Sequence, residues 1–366
     1  MGGHARSRAL SSLDASFEPL AGTTAGSSIP WLFIAQLALG LPTILWTYKC
    51  AVLVMFQRKI MYLPYVPLGS RKQTLDELSQ SPHASTELAK LVCHQIATPS
   101  PAPTRWLRRP VELQGLRVAH EALGDREPQA VIVYLQGNAG TPLLRLPLFR
   151  RLLLNAQKEQ GLGHGSKSVI LAFAPRSYWL STRATPTETS ILEDYSAAIK
   201  YARDRYPNAH ITLYGHSLGG AAAIRLVLSR VDIKHSVGSL IIENPLPSIP
   251  YMVRALYPQK WLPYHYLGGF AFDRWDARGE LAAYNNSDLP PALWIRSGKD
   301  EIIPTWNGDP VLSMFKDWQR CSRPADASAW LDIPDALHDT AFLSRSWNDR
   351  LAHFLNIVSS QDRRTE

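Results

Sequence analysis

The pentapeptide Gly215-His216-Ser217-Leu218-Gly219 decides the fold of this chain. A β-prone run occupies residues 210–214 before it, and an Ala-rich, helix-forming run occupies residues 220–228 after it. A strand, a serine between small residues and a helix together form a nucleophile elbow, in which a sharp turn presents the serine hydroxyl at the carboxyl end of the strand. The positive end of the following helix stabilises negative charge there. Although such a pentapeptide also occurs by chance, its flanks predict Ser217 as a nucleophile.

Strands and helices alternate along the rest of the chain. Buried strands are predicted at 131–135, 169–173, 210–214, 239–243, 291–296 and 329–333, helices at 143–157, 189–205, 220–228 and 347–358, and an early strand pair at 111–116 and 118–123. This alternation predicts an α/β protein with a mostly parallel sheet and helices on both faces. Such sheets place their sites at the carboxyl ends of the strands. Together with the elbow, the pattern predicts the α/β-hydrolase fold.

The length of 366 residues suits one catalytic domain with an N-terminal extension. We predict a disordered N-terminus (1–28), a transmembrane anchor (29–57), a Pro-rich membrane-proximal connector (58–105) with a short helix near 75–91, a catalytic domain (106–358) and a tail (359–366). Within the catalytic domain, residues 244–288 are dense in aromatic side chains and proline. They are interpreted as a small helical cap over the site, with ordinary surface packing on the sheet as the alternative.

The anchor prediction comes from an uncharged run at 31–48, whose apolar character resumes after Lys49 and continues to Phe56. A bilayer-spanning helix needs about 20 such residues. A secretory signal peptide would have a shorter apolar stretch and charges closer to it. A buried core helix is the other alternative. We expect a single-pass protein of an endomembrane or the plasma membrane, with an orientation that the flanking charges leave open.

The charge and the cysteine content make some classes of function and some kinds of site less expected than others. The formal net charge is +8 with a pI near 9.4, and the basic residues are scattered rather than clustered. This favours a surface facing anionic lipid. The sequence contains no helix-turn-helix, zinc-finger or RNA-binding signature, so no nucleic-acid partner is expected. Cys50, Cys93 and Cys321 lack metal-site spacing. They are interpreted as buried free thiols, with a Cys93–Cys321 bridge as the alternative.

A serine nucleophile requires a base and an acid that orients the base, in the chain order serine, acid, histidine. Asp300 follows the 291–296 strand in a turn that can direct its carboxylate at Ser217, and it is the predicted acid. Glu301 is expected to face away, and Glu243 is the reserve acid. His338 lies just past the last strand and is the predicted base. Five other histidines are placed less well for this role. His210 and His235 lie before strands, His265 lies in the cap, His216 in the elbow and His353 in the last helix.

An oxyanion hole completes the predicted site. One donor is the backbone N–H of Leu218, which follows the nucleophile. We assign the second donor to the N–H of Asn138, in the 136–140 loop after the third strand, where Gly137 and Gly140 allow close backbone approach. The loop lacks the Lys-Ser/Thr pair of a nucleotide-binding P-loop.

Over roughly residues 50–356, the chain resembles the membrane-anchored α/β-hydrolase domain-containing group that includes the bud-emergence-type fungal hydrolases. The matching motifs are Phe56-Gln57-Arg58-Lys59-Ile60-Met61-Tyr62-Leu63-Pro64, Gly137-Asn138-Ala139-Gly140, Pro186-Thr187-Glu188, Gly215-His216-Ser217-Leu218-Gly219-Gly220, Glu243-Asn244, Ser248-Ile249-Pro250 with Met252-Val253, Ser297-Gly298-Lys299-Asp300-Glu301, and His338-Asp339-Thr340. The resemblance implies a serine hydrolase of ester, thioester or lipid substrates that uses no metal or cofactor.

The chain departs from this family in two places. Gln136 stands where the family has histidine, and Ala174-Pro175-Arg176-Ser177-Tyr178-Trp179 replaces the family's Asp-Tyr-Arg-Gly-Tyr-Gly. Both departures are expected to alter the floor and rim of the pocket.

Three functions compete. The first is a membrane-anchored serine hydrolase acting on acyl esters, such as monoacylglycerols, lysophospholipids or S-acylated proteins. The second is an acyltransferase or peptidase on the same fold. An acyltransferase would carry His-x-x-x-x-Asp, but the fifth residue after His338 is Leu343. The third, a non-catalytic membrane scaffold, would have lost a triad member, and all three are present.

Overall fold

The computed structural model describes residues 30–80, 88–100, 110–155, 167–303, 308–322 and 328–362. The predicted disordered segment 1–28 and residues 363–366 of the predicted tail (359–366) lie outside these ranges, whereas residues 359–362 belong to the last helix. The chain divides into two compact units, Met1–Tyr48 and Lys49–Glu366.

The long helix α1 (Trp31–Met55) begins in the first unit and ends in the second. Among the described residues it alone is long and apolar enough to cross a membrane, and its apolar window is unburied. Pro42 lies within it. Thr43 and Thr47 each direct the side-chain hydroxyl to the carbonyl four residues earlier, which satisfies these hydroxyls within the helix.

The second unit contains eight strands and ten further helices among the described residues. The strands are β1 (Leu91–Ser100), β2 (Val111–His120), β3 (Ala130–Leu135), β4 (Ser168–Phe173), β5 (His210–His216), β6 (Ser239–Glu243), β7 (Ala292–Ser297) and β8 (Ala329–Ile333). The helices are α2 (Gln57–Met61), α3 (Leu75–Ser79), α4 (Leu146–Asn155), α5 (Glu188–Arg205), α6 (Leu218–Ser229), α7 (Val231–Ser236), α8 (Ile249–Leu256), α9 (Ala277–Ala283), α10 (Pro310–Cys321) and α11 (Arg345–Asp362).

The strands form one sheet in the order β1-β2-β4-β3-β5-β6-β7-β8. β2 is antiparallel to both of its neighbours, and the pairs from β4 through β8 are parallel. β4 and β6 are buried along their whole length. Such uninterrupted burial is typical of strands covered on both faces. The predicted α/β-hydrolase sheet is therefore confirmed, and β5 places the elbow near the middle of its carboxyl edge.

Helices pack against the sheet in two groups. α5 and α6 contact each other, and α5 also contacts β1, β3 and β4 while α6 contacts β3, β5 and β6. α4 and α11 contact each other, and they also contact β2 and β8, respectively. Between 244 and 288 lie α8, a 3-10 segment (Pro263–Phe270) and α9. The helical content predicted for this insertion is therefore present.

Three local features differ from the sequence expectations. β1 lies inside the predicted connector, so the sheet begins before residue 106. This edge strand is half-exposed, mixes apolar with polar residues and contains Pro99, so its sequence resembles a loop. β2 runs unbroken through Arg117, whose guanidinium donates to the Tyr206 hydroxyl at 3.0 Å. Of the helix expected near 75–91, the described residues contain α3, and residues 81–87 lie outside the described ranges. Helices α7 and α10 were not anticipated.

Candidate active site

Ser217 lies at the elbow between β5 and α6. Its backbone angles are φ 55° and ψ −117°, a region that L-residues seldom occupy and that the surrounding structure must hold. A Cβ on Gly215 would meet the Gly219 carbonyl oxygen at 2.6 Å, and a Cβ on Gly219 would overlap the Leu135 carbonyl. Both glycines are therefore required sterically, because the elbow leaves no volume for a side chain on either side of the serine.

Asp300 and His338 form a buried pair at the same edge of the sheet. A hydrogen bond of 2.8 Å joins His338 Nδ1 to Asp300 Oδ2, and the two side chains are 3% and 7% exposed. Asp300 Oδ1 accepts from the backbone N–H groups of Ile302 and Ile303, each at 2.8 Å. The carboxylate is thus fixed on one oxygen by the backbone and on the other by the imidazole. Such a carboxylate orients the ring and selects its tautomer.

The elbow contacts the loop that carries His338. The rings of His216 and His338 lie 4.9 Å apart between centroids, and His216 Nε2 lies 3.1 Å from the His338 carbonyl oxygen. Among the hydrogen bonds of the described ranges, none joins the Ser217 hydroxyl to His338. Catalytic hydrogen bonds are often long without substrate and tighten when it binds.

Two further residues position His338, and this role was not predicted from the sequence for either of them. Asn244 Nδ2 donates to the His338 carbonyl at 2.8 Å and to Ser297 Oγ at 2.9 Å, while its Oδ1 accepts from the Ser297 N–H at 2.8 Å. Glu301 Oε2 accepts from the His338 N–H at 3.0 Å. The expectation that Glu301 faces away is wrong, since this turn directs both of its carboxylates toward the histidine loop.

A polar cluster lies beside the buried His216 and includes Asp339, whose side chain is 56% exposed. Arg145 bonds to Asp339 at 2.7 Å, and Asp339 lies 3.4 Å from His216 Nε2. Burial holds the pKa of His216 well below its usual range, helped by the nearby Arg145 guanidinium. Partial burial of Asp339 acts to raise its pKa. The positive charge of Arg145 outweighs this effect, so the pKa of Asp339 lies below its usual value. The cluster therefore holds a neutral His216 beside an ionised Asp339 near neutral pH.

Glu243, the reserve acid, has a different partner. The Tyr214 hydroxyl donates to its carboxylate, and burial raises the pKa of Glu243 although this hydrogen bond opposes the rise. No hydrogen bond joins Glu243 to His338 in the described part of the chain. The geometry therefore favours Asp300 as the partner of the histidine.

The predicted oxyanion donors flank Ser217. Leu218 is the first residue of α6, so its N–H has no acceptor within the helix. The Asn138 carbonyl accepts from the Leu63 N–H and the Tyr178 hydroxyl, both at 3.0 Å, and Asn138 Nδ2 donates to the Met61 carbonyl at 3.2 Å. These bonds fix the loop, and Asn138, Leu218 and Ser217 line one cavity.

The two departures from the family lie outside that cavity. Neither Gln136 nor residues 174–179, all of them described, appear among its lining residues, so the expected change of pocket floor and rim is wrong for this cavity. Tyr178 instead supports the 136–140 loop from behind. Ser177 and Trp179 adopt φ values of 68° and 42°, and these are the positions that the family fills with glycine.

Buried contacts stabilise this strained segment. The Ser177 hydroxyl bonds to the Ala184 carbonyl at 2.6 Å, and the Trp179 indole donates to the Gln73 carbonyl at 2.8 Å. Arg176 forms a fully buried pair with Asp194 at 2.6 Å. The segment is thus held by side chains where the family relies on glycine.

The cavity at Ser217 has a volume of about 320 Å³. Its walls come from the C-terminal end of α1, from α2, from the cap and from the loop after β7. The lining residues are Leu53, Val54, Gln57, Ile60, Met61, Asn138, Ser217, Leu218, Leu246, Ile249, Met252, Val253, Leu256, Tyr257, Leu267, Ala271, Ile302 and Ile303. All but four of these side chains are aliphatic, so the cavity suits an apolar group.

The segment before the sheet is attached to the cap. Arg58 Nε bonds to the buried Asp273 at 2.8 Å, and the Trp275 indole donates to the Tyr62 hydroxyl at 3.0 Å. Gln57 donates to the Phe270 carbonyl at 3.2 Å and accepts from the Phe272 N–H at 2.7 Å. Part of the Phe56–Pro64 motif, predicted as anchor up to residue 57 and as connector beyond it, therefore forms one wall of the pocket.

Metal and disulfide chemistry find no support in the described residues. No group of three or more His, Cys, Asp or Glu side chains there could hold a metal ion. Cys50, Cys93 and Cys321 are free thiols, but only Cys321 is buried, so the expectation of burial is wrong for Cys50 and Cys93.

Comparisons with known proteins agree with the fold. No model of a known protein family matches the chain. It is 27% identical over 180 residues to protein bem46 of Schizosaccharomyces pombe, covering 49% of this chain and 54% of bem46. It is 24% identical over 311 residues to the alpha/beta hydrolase domain-containing protein WAV2 of Arabidopsis thaliana, covering 80% of this chain and 85% of WAV2. It is 27% identical over 182 residues to the lysophosphatidylserine lipase ABHD12 of Danio rerio, covering 48% of this chain and 44% of the lipase.

A solved esterase structure from Pyrococcus furiosus superposes with a TM-score of 0.53 at 17% identity, covering 81% of this chain and 97% of that one. This similarity confirms the fold alone. The alignments to bem46 and ABHD12 span about half the length of those relatives. The predicted resemblance to bud-emergence-type α/β-hydrolase domain-containing proteins is confirmed by these homologues.

Proposed function

We propose that this chain is a membrane-anchored serine hydrolase that cleaves carboxylic ester or thioester bonds of acyl and lipid substrates. The observation that carries the proposal is the aliphatic cavity of about 320 Å³ lined by Ser217, at the sheet edge that also carries the buried His338–Asp300 pair. ABHD12 of Danio rerio is a lysophosphatidylserine lipase by name, which points to the same class of reaction. Helix α1 would supply the anchor.

The proposed reaction proceeds through an acyl-enzyme. Ser217 Oγ attacks the carbonyl carbon while His338 Nε2 accepts the hydroxyl proton, and Asp300 stabilises the resulting imidazolium. The Leu218 and Asn138 N–H groups stabilise the oxyanion. The imidazolium then protonates the leaving alcohol or thiol. Water, deprotonated by His338, attacks the acyl-enzyme, and the imidazolium returns this proton to Ser217 Oγ as the serine–acyl bond breaks and the carboxylic acid leaves.

The cavity lining favours this reaction over a peptidase on the same fold. Among its lining residues only Gln57, Asn138, Ser217 and Tyr257 carry polar side-chain groups. A peptide backbone offers a donor and an acceptor at each residue, and burying them among aliphatic side chains without partners is costly. An acyl chain has no such requirement.

The test is a series of p-nitrophenyl esters from acetyl to octanoyl. We expect kcat/KM to rise with acyl length, by up to about fourfold for each methylene that the cavity buries. Val253→Trp, which fills the cavity, should remove this gain while sparing the acetyl ester. Val231→Trp, at an exposed position on α7, is the matched control and should retain the wild-type profile. A preference for acetyl esters or peptides in the wild-type protein would contradict the proposal.

A further inference from the structure

An exposed apolar surface surrounds the mouth of the cavity. Ile60, Leu256 and Ile302 line the cavity and are nevertheless 53%, 67% and 47% exposed, so they form its rim. Isolated exposed apolar residues are ordinary on protein surfaces, but a contiguous group marks an interaction site. This rim continues onto the cap.

The cap carries four large aromatic side chains that are each more than half exposed: Trp261, Tyr266, Phe270 and Phe272. We call these four together with Leu256 the cap face. Its members alternate along the chain with Tyr257, Leu267 and Ala271, which line the cavity. The inner side of the cap therefore forms the pocket wall while the outer side exposes aromatic rings.

The chain segments that form this surface are rich in basic residues. Residues 49–72 and 249–272 contain seven Lys and Arg residues and no Asp or Glu, and the adjacent Asp273 is buried in its pair with Arg58. Arg254 and Lys260 are exposed on the cap itself. Aromatic rings flanked by cations are the composition found at the interface of a bilayer that contains anionic lipid.

The attachment of the cap adds an independent argument. Helix α1 ends at Met55, and Gln57, two residues later, is hydrogen-bonded to the backbone at Phe270 and Phe272. The adjacent Arg58 is paired with Asp273. Two residues of chain span at most about 7 Å. A bilayer that contains the end of α1 therefore lies within reach of the cap.

We propose that the cap face is a membrane-docking surface whose partner is the headgroup region of an anionic bilayer, so that substrate passes from the bilayer directly into the cavity. The rings would insert at the depth of the headgroups, and the surrounding cations would contact lipid phosphates and carboxylates. The docking step is independent of catalysis, whereas the passage of substrate rests on the proposed function.

The direct test uses tryptophan quenching in the full chain. Wild type and Trp261→Phe are reconstituted into phosphatidylcholine–phosphatidylserine vesicles, with and without acyl-brominated phosphatidylcholine. The emission difference between the two proteins isolates Trp261, and we expect brominated lipid to quench it. An unquenched difference, with the protein reconstituted, would overturn the proposal and leave a protein partner as the occupant of the surface.

The second experiment compares the rate of hydrolysis of an ester embedded in a bilayer with that of a soluble ester. Trp261→Ser/Phe270→Ser should hydrolyse a long-chain ester embedded in vesicles several-fold more slowly than wild type, with an unchanged rate on soluble p-nitrophenyl butyrate. Val231→Ser, exposed on α7 before β6, should change neither rate. Omitting phosphatidylserine or adding salt should lower the bilayer rate only. Equal loss on both substrates would contradict docking.

Failure of the two proposals can be told apart. If wild type lacks fluorophosphonate labelling at Ser217, the proposed function fails while the quenching result still decides docking. If the double variant does not fold, the conservative Trp261→Phe measurement decides alone.

Discussion

Asn244 joins three parts of the site through one buried side chain. It follows β6, donates to the His338 carbonyl and to Ser297, and accepts from the Ser297 N–H. Its φ of 43° lies in the left-handed region, which asparagine tolerates better than most residues. The residue thus connects β6, the turn that leads to Asp300 and the histidine loop.

Asn244→Ala should therefore impair catalysis more than binding. We expect kcat to fall by about 10- to 100-fold with a small change in KM, because a displaced catalytic group loses that much rate. The free energy of unfolding should fall by about 1–3 kcal/mol, since buried partners lose their hydrogen bonds.

Steady-state kinetics with urea unfolding checks this prediction. Asn286→Ala, at an exposed position after α9, is the control and should match wild type in both measurements. A normal kcat in Asn244→Ala would remove the positioning role.

Some residues of the site could be predicted from the sequence and others could not. Ser217 could be predicted from a local motif, and His338 and Asp300 from their places after consecutive strands. The role of Glu301 could not be predicted, because the direction of a carboxylate in a turn depends on backbone angles that the local sequence does not specify. The Asn244 contacts join residues up to 94 positions apart in sequence, and no local pattern encodes such contacts.

At the level of elements, the elbow fixes how β5 meets α6. The close approach of Gly219 to the Leu135 carbonyl brings the start of α6 against the end of β3. Gly219→Ala should lower the free energy of unfolding by roughly 3 kcal/mol or more, because backbone on both sides prevents relaxation. Thermal unfolding measures this directly.

The matched control is Gly269→Ala in the cap, where an added Cβ has nothing within 4 Å. That substitution should change the free energy of unfolding by no more than about 0.5 kcal/mol. Equal stability of the two variants would mean that the elbow is looser than described.

The central strands and the edge strand β8 were predictable from the sequence, whereas the other edge strand, β1, was not. β3, β4 and β6 carry runs of aliphatic residues that specify a strand covered on both faces. β1 is half-exposed and mixes apolar with polar residues, so its pairing with β2 identifies it as a strand where its composition does not. Asp309 precedes helix α10 and caps it, because its Oδ1 accepts from the N–H groups of Val311 and Leu312, and this signal was present in the sequence.

For the whole molecule, the boundary between the two compact units falls at Tyr48/Lys49, within α1. Leu53, Val54 and Gln57 lie beyond it and line the cavity. A deletion of residues 1–48 should therefore keep the pocket wall, whereas a deletion of residues 1–57 should remove part of it.

We expect the full chain to remain in membranes after a carbonate wash and the 1–48 deletion to be released by it. The 1–48 deletion should retain esterase activity on soluble esters, and the 1–57 deletion should lose most of it. Release of the full chain by carbonate would contradict a spanning α1, and full activity of the 1–57 deletion would contradict its role in the pocket.

The central claim is that Ser217, activated by His338 and Asp300, is a catalytic nucleophile. Labelling of the full chain by a fluorophosphonate probe tests it most directly, because the probe reacts only with an activated serine. The account predicts that wild type is labelled, that Ser217→Ala is not, and that His338→Ala is labelled about 10³-fold more slowly or less. Unchanged labelling of Ser217→Ala, or an unlabelled wild type that is correctly folded, would contradict it.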